Sequence, residues 1–327
     1  MRLNAFFVFL SHLSMSKSLH ITLLSALVLL FAACGGDGSE PLFQGGSGTE
    51  QGGAMAGNKN KNVVAPNLPK EITRLEFPHL NTENSIVLVH KLHETDLDQA
   101  HPDDPVNFSV EWDYNKKSQR WCCYQMHNFT GYVGYTGNFT EDPDLPTSMR
   151  FSDTNAMYKG SGFTRGHICP SGDRQYSKEA NIQTFYYTNM QPQYYNFNGG
   201  ENYDGLWVQM ENQVRKWGKS LKAKDTLFVC KGGTIDKESQ ILTRIKGQLI
   251  VPKYFFMALL LKNSQGYRGI AFWTEHLTTT VPNADLSKYV KTIRELETLT
   301  GIDFFCNLPD EIENKVETTN SSKAWGL

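Results

Sequence analysis

Between residues 85 and 273 the chain alternates short apolar, β-branched or aromatic runs with turn-forming residues, and helical periodicity is rare. Residues 85–90, 108–112, 120–126, 184–188, 226–230, 248–251, 254–261 and 269–273 read as strands, with 113–117 as the turn between the second and third. Two stretches read as helices. Leu206, Trp207, Met210, Val214 and Trp217 recur at helical spacing with polar residues between them. Residues 285–299 place Val290, Ile293 and Leu296 on one side, and Gly301 supplies a stop. A short helix is expected near 310–316. Many strands with few helices predict an α+β domain with a central mixed or antiparallel sheet flanked by helices. With no internal repeat and no second linker, one domain is expected over 72–317, followed by a tail at 318–327.

The segment before the domain has a different character. Residues 21–33 form an apolar run ending in Leu30-Phe31-Ala32-Ala33, followed by Cys34. The run is short for a membrane span but has the length of a signal-peptide core. Small residues followed by a cysteine resemble a bacterial lipobox. Residues 1–33 are therefore expected to be a signal peptide, with Cys34 lipidated. The chain is expected to be exported and held by that lipid at a bacterial membrane, on the periplasmic face or the cell surface. The Gly-rich stretch beyond Cys34 cannot bury enough apolar surface to offset its ordering entropy, so residues 34–71 read as a tether.

Export permits disulfides. Five cysteines follow Cys34, an odd number, and no CxxC pair points to metal binding. Adjacent Cys122 and Cys123 should face opposite sides of a strand. The formal net charge is −2, so there is no global basic field to gather nucleic acid, and any phosphate site must be local.

Chemistry concentrates between residues 160 and 217. Thr164-Arg165-Gly166-His167 is followed by Asn189-Met190-Gln191-Pro192-Gln193, then Phe197-Asn198, then Trp207-Val208-Gln209-Met210-Glu211. A strand bearing a histidine, a loop, a second strand and a helix can bring a base, a cation and a metal ligand to one point. An imidazole is the side chain best matched to general-base work near neutral pH. Arg165 offers a planar fork for phosphate oxygens. Asn198 offers a neutral oxygen to an ion such as Mg²⁺, which keeps several waters. Glu211 could hold those waters from behind. Singly, each of these residues has a structural explanation.

Together these motifs closely resemble the DNA/RNA non-specific endonuclease family with its ββα-metal (His-Me finger) site, in particular its anchored bacterial branch. The flanks, Trp112 to Tyr124, Phe228 to Ile235 and Val251 to Phe255, extend the likeness over nearly all of the folded part. The resemblance implies an endonuclease that hydrolyses DNA and RNA through backbone contacts and so ignores sequence. It implies His167 as general base, Asn198 as the one direct protein ligand of Mg²⁺ (Mn²⁺ as a substitute), and Glu211 orienting water held by that ion. Arg165 would stabilise phosphate charge, and Asn189 would hold the active-site loop. Products would carry 5′-phosphates. In that fold Cys169 and Cys230 would lie near the site, which suggests a disulfide between them.

Three departures bear on the chemistry. The family's leading aspartate is Thr164 here. No Arg or Lys lies between Arg120 and Arg150, so an upstream phosphate contact is missing or falls to Arg150. An insertion at 199–205 separates Asn198 from Trp207. The first two motivate an alternative, a catalytically weak surface lipoprotein that binds nucleic acid. A purely structural or adhesion lipoprotein would leave the Arg165-to-Glu211 series without an explanation.

Overall fold

The computed structural model describes residues 57–135, 137–319 and 322–327. The apolar run, Cys34 and the Gly-rich stretch as far as residue 56 lie outside the described residues. No described helix is long and apolar enough to cross a membrane.

Eleven strands are described: β1 (Ser85–Lys91), β2 (Val106–Asp113), β3 (Ser118–Met126), β4 (Thr164–His167), β5 (Met190–Gln193), β6 (Thr226–Gly233), β7 (Ile241–Ile245), β8 (Leu249–Pro252), β9 (Tyr254–Asn263), β10 (Gly266–Glu275) and β11 (Val290–Lys291). The helices are α1 (Thr154–Tyr158), α2 (Lys178–Gln183), α3 (Tyr195–Asn198), α4 (Leu206–Lys219), α5 (Ile293–Thr300) and α6 (Asp310–Thr318). Seven strands form one sheet in the order β1-β2-β3-β6-β9-β10-β11, and every neighbouring pair is antiparallel. β4 with β5 and β7 with β8 form two small antiparallel sheets.

The period-two alternation of the central strands builds a core on each face. One face carries Val110, Cys122, Tyr124, Val229, Met257 and Phe272, packed under Trp207, Met210 and Val214 of α4. The other carries Trp121, Cys123, Phe228, Cys230, Ala258 and Leu260, packed under Ile293 and Leu296 of α5 and Val316 of α6. The adjacent cysteines thus point to opposite faces, as alternation requires. The same alternation overturns the expected Cys169–Cys230 disulfide. Cys169 lies in the α4-side core and Cys230 in the α5-side core, and both thiols are free and buried.

Three further expectations differ from the structure. Residues 184–188 are not a strand. Ser177 caps α2 by accepting from Ala180 N at 3.0 Å, and Thr184 ends it by donating to Asn181 O at 2.7 Å. The strand begins six residues later, at Met190. The expected helix at 285–299 is divided. Val290 pairs with Phe272 of β10, and α5 starts afresh at a capping box in which Thr292 Oγ1 accepts from Glu295 N and Glu295 Oε2 accepts from Thr292 N. Gly301 does stop it, at φ 80°.

Residues within the expected tether and within the expected C-terminal tail are held by packing. Asn58 donates to the carbonyls of Cys306 and Leu308, and the Asn62 amide donates to Ile72 O and Pro78 O. At the other end Trp325 is buried, accepts at its carbonyl from Trp217 Nε1 and donates to Gly269 O. Packing against residues distant in sequence, which composition does not show, orders both segments.

Candidate active site

The β4–β5 hairpin is a four-residue pairing: Thr164 faces Gln193 and His167 faces Met190. Its close approach requires Gly166, where a Cβ would meet the Gln193 side chain at 2.1 Å. Helix α4 is tied to the hairpin by Trp207 Nε1, which donates to the His167 carbonyl at 3.2 Å. Two strands and this helix make up the ββα unit.

His167 projects among aromatic edges. Phe185 meets its ring edge-on at 4.8 Å and Phe139 lies at 5.8 Å. Burial, with the positive charge of Lys231 nearby, pushes the imidazole pKa down to about 4. The ring is therefore neutral at pH 7, and its Nε2 has no hydrogen-bond partner among the described residues. A neutral imidazole with a bare nitrogen can accept a proton.

The stretch after His167 is clamped by Asn189. Its Oδ1 accepts from Cys169 N at 2.8 Å, and its Nδ2 donates to Cys169 O at 2.9 Å and Thr184 O at 2.8 Å. One buried amide thus fixes the chain on both sides of the hairpin.

Asn198 ends α3. Its Nδ2 donates to Thr164 Oγ1 at 3.0 Å, and that hydroxyl in turn donates to Gln193 O at 3.0 Å. Thr164, which stands where the resembled family carries aspartate, therefore still supplies an acceptor. With the amide nitrogen held by Thr164, the Asn198 carbonyl oxygen is left for another partner. The inserted loop closes on itself, because Gly205 N donates to Gly199 O at 2.9 Å, and a Cβ on Gly205 would meet Phe197 O at 2.6 Å. The insertion leaves α3 seated.

Glu211 is buried and ion-paired: its Oε1 accepts from Lys231 Nζ at 2.8 Å. Burial raises the carboxyl pKa, and Lys231 offsets part of that rise. The ammonium also lies 4.6 Å over the Trp207 ring. Arg165 donates to Asn155 Oδ1 and lies over the rings of Phe139 and Tyr158 at 5.1 and 5.2 Å. It borders an open groove of about 610 Å³ with Asn138, Phe139, Glu141, Asn155 and Tyr187. Arg150, the stand-in considered for the missing upstream cation, pairs with Glu141 at 3.2 Å.

The family profile described as DNA/RNA non-specific endonuclease matches residues 93–311. The chain belongs to that family. It is a nuclease, a hydrolase acting on phosphodiester bonds. A "Nuclease" of Nostoc sp. is 30% identical over 221 residues, which is 64% of this chain and 75% of the relative. The mitochondrial nuclease EXOG of Xenopus laevis is 28% identical over 221 residues, 62% of this chain, and the match spans 58% of the frog protein. In fold, the crystal structure of an EndoG/EndoGI complex superposes with a TM-score of 0.56 at 18% identity, covering 73% of this chain and 93% of that one.

Two residues packed around the candidate site escaped the sequence reading. Lys231 lies just past the strand read at 226–230, and a lysine beside that apolar run was its only signal. His276 was passed over as a lone histidine after β10. Its Nε2 accepts from Tyr194 N at 2.7 Å and its Nδ1 donates to Pro252 O at 2.9 Å, which fixes the chain where it enters α3. Burial lowers its pKa to about 4, in keeping with a neutral ring whose two nitrogens are both engaged.

One further histidine–carboxylate group could take a metal: His90, Asp142 and Asp144 lie within 4.8 Å of one another. The two carboxylates approach opposite ring nitrogens, Nε2 at 3.2 Å and Nδ1 at 3.6 Å. Burial opposes the charge on His90, yet the two aspartates prevail and raise its pKa to about 9. This arrangement suits an imidazolium braced between two anions, and it anchors the loop that carries Phe139.

That loop passes close to the site. A Cβ on Gly137 would lie 1.8 Å from the Phe185 ring, the ring that meets His167. Gly137→Ala is expected to displace Phe185, destabilise the fold by about 1–3 kcal/mol and lower kcat. Thermal melting with nuclease assays checks this, and wild-type values for both would refute it.

Proposed function

We propose that this chain hydrolyses DNA and RNA without regard to sequence, with His167 as general base and Mg²⁺ bound through Asn198. The observation carrying this reading is the Thr164–Asn198 hydrogen bond. It holds the Asn198 amide, at the end of α3, against β4, the strand that carries the unpartnered His167 Nε2. The donor set fits the ion, since Mg²⁺ takes oxygen ligands and tolerates few from protein. Asn198 would hold it directly, and Glu211, steadied by Lys231, would orient water around it. When bound, the ion supplies positive charge that offsets negative charge developing on the phosphate and the departing oxygen.

The remaining steps fall to the chain itself. His167 Nε2 takes a proton from the attacking water. Arg165 grips a phosphate oxygen at the groove, its guanidinium held in place by Asn155, Phe139 and Tyr158. Phe139 and Phe185 keep bulk water from the imidazole. Contacts of this kind address the backbone alone, so base sequence is not read, and 5′-phosphate products are expected. We also propose that the chain acts from a membrane through a lipid on Cys34. Loss of membrane association in Cys34→Ser tests that placement.

The decisive experiment is plasmid and RNA digestion by the purified chain with Mg²⁺ and with chelator. No cleavage in any divalent ion would overturn the reading in favour of a binding lipoprotein. A finer test concerns Thr164. Thr164→Ala frees the Asn198 amide and is expected to raise the Mg²⁺ needed for half-maximal rate about 10–100-fold, the usual cost of losing a residue that orients a metal ligand. Asn198→Ala should remove activity at low Mg²⁺, and Asn198→Asp should bind the ion more tightly yet turn over more slowly. An unchanged Mg²⁺ titration for Asn198→Ala would place the ligand elsewhere, with Glu201 and Asp204 of the inserted loop as the next candidates.

A further inference from the structure

The proposed mechanism uses none of the five buried thiols, and the fold sorts them into two neighbouring pairs and a single. Cys123 of β3 stands directly opposite Cys230 of β6 on the α5 side of the sheet. Cys306 donates to Phe77 O. On the α4 side Cys122 of β3 meets Cys169, and the Cys122 thiol donates a hydrogen bond to the Cys169 sulfur. That contact is one rung of a longer alignment between β3 and residues 169–174. Tyr124, the next residue on the same face of β3, donates to Asp173 Oδ2 at 3.2 Å, and the Arg174 guanidinium lies 4.5 Å over its ring. Arg174 also donates to Gln125 O at 2.8 Å. Behind Cys169, the Asn189 amide holds both its N–H and its carbonyl. Contacts on every side thus keep the two sulfurs together.

The two pairs differ in reactivity. Burial pushes the thiols of Cys123 and Cys230 well up. Burial opposes ionisation of Cys169 as well, but the hydrogen bond from Cys122 and the positive charges of Arg174 and Lys231 prevail and hold its thiol below the ordinary value. The thiolate is the species that attacks a disulfide. We propose that Cys122 and Cys169 form a disulfide that ties β3 to the loop following His167. The oxidant is a small-molecule disulfide such as oxidised glutathione. The Cys169 thiolate attacks one of its sulfurs, forming a mixed disulfide and expelling a thiolate. The Cys122 thiol then attacks the Cys169 sulfur, and its proton leaves with the second thiol. One disulfide and two cysteine thiols become one disulfide and two small thiols, so electrons balance. Both sulfurs are fully buried in the finished fold, so the exchange accompanies folding and the bond is afterwards shielded. It requires neither catalysis nor export, only an oxidant while the chain folds.

The test refolds the reduced full chain from denaturant with and without oxidised glutathione, alkylates the remaining thiols after unfolding, and maps the peptides without reduction. In the oxidised sample Cys169 is expected to be joined to the peptide that holds Cys122 and Cys123, with Cys230 and Cys306 alkylated. Cys123→Ser should keep the bridge and Cys122→Ser should lose it. The oxidised wild type should melt about 4–16 °C above the reduced chain, and Cys122→Ser should show no such difference. Alkylated Cys169 in the oxidised wild type, a Cys123–Cys230 bridge in its place, or a bridge to Cys169 that Cys123→Ser removes would overturn the proposal. The wild-type map decides between these outcomes even where a serine variant fails to fold.

Discussion

His167→Ala is expected to slow cleavage of both DNA and RNA by about 10²–10⁴-fold, the usual worth of a positioned general base. The fold should survive, because no described group donates to or accepts from Nε2, and the hairpin's tie to α4 runs through the backbone carbonyl of residue 167. The pH profile adds a second readout. Burial and Lys231 hold the imidazole pKa at about 4, below the ordinary value of 6.5. The base is therefore unprotonated throughout the neutral range, and wild-type kcat/KM should stay level from neutral pH until it falls near pH 4. The same shift governs stability. The unfolded chain binds the His167 proton more readily, so this residue's contribution is fully present above pH 6.5 and is lost as pH falls toward 4. The alanine variant should lose less stability over that window than the wild type. Near-normal plasmid digestion by His167→Ala would end the assignment.

How far the sequence reaches can be judged residue by residue. The central strands were legible because alternation and β-branching agree with their burial. The Thr164-to-Glu211 motifs were legible because the chemistry demands particular side chains in a particular order. Residues 184–188 misled because Phe185, Tyr186 and Tyr187 have strand propensity, whereas Ser177 and Asn189 impose a helix end and a clamp whose partners lie elsewhere. The division of the 285–299 segment was visible in Thr292-x-x-Glu295, a capping signal hidden inside a run of helical spacing. The ordering of Asn58 and Trp325 depends on partners more than 50 positions away, such as Cys306 for Asn58 and Gly269 for Trp325. The role of Thr164 was half legible. Its hydroxyl could be foreseen as an acceptor, but only the fold shows that the group it accepts from is the Asn198 amide.

Lys231 gave almost no signal in the sequence, and its removal should have one of the largest effects on the fold. Its Nζ and Glu211 Oε1 form a buried pair, with Lys231 at 1% exposure on the α4 side of β6. Removing one partner leaves the other charge buried without compensation, which typically costs about 3–5 kcal/mol. For a domain of this size Lys231→Ala should lower the melting temperature by roughly 6–20 °C. The deficit should depend on pH. Without the ammonium, burial raises the Glu211 pKa further above its unfolded value. The variant is then least impaired below about pH 4, where the carboxyl is protonated in both states, and worsens as pH rises through the folded pKa. Lys231→Met with Glu211→Leu, which removes both charges, should regain much of the lost stability and remain inactive, separating the pair's structural role from its catalytic one. Lys231 also helps to depress the His167 pKa. In Lys231→Ala the acid limb of kcat/KM should therefore move up toward pH 6.5, an effect that simple destabilisation does not produce. A Lys231→Ala protein that melts like the wild type and keeps its acid limb near pH 4 would show that the pair neither supports the fold nor tunes the base.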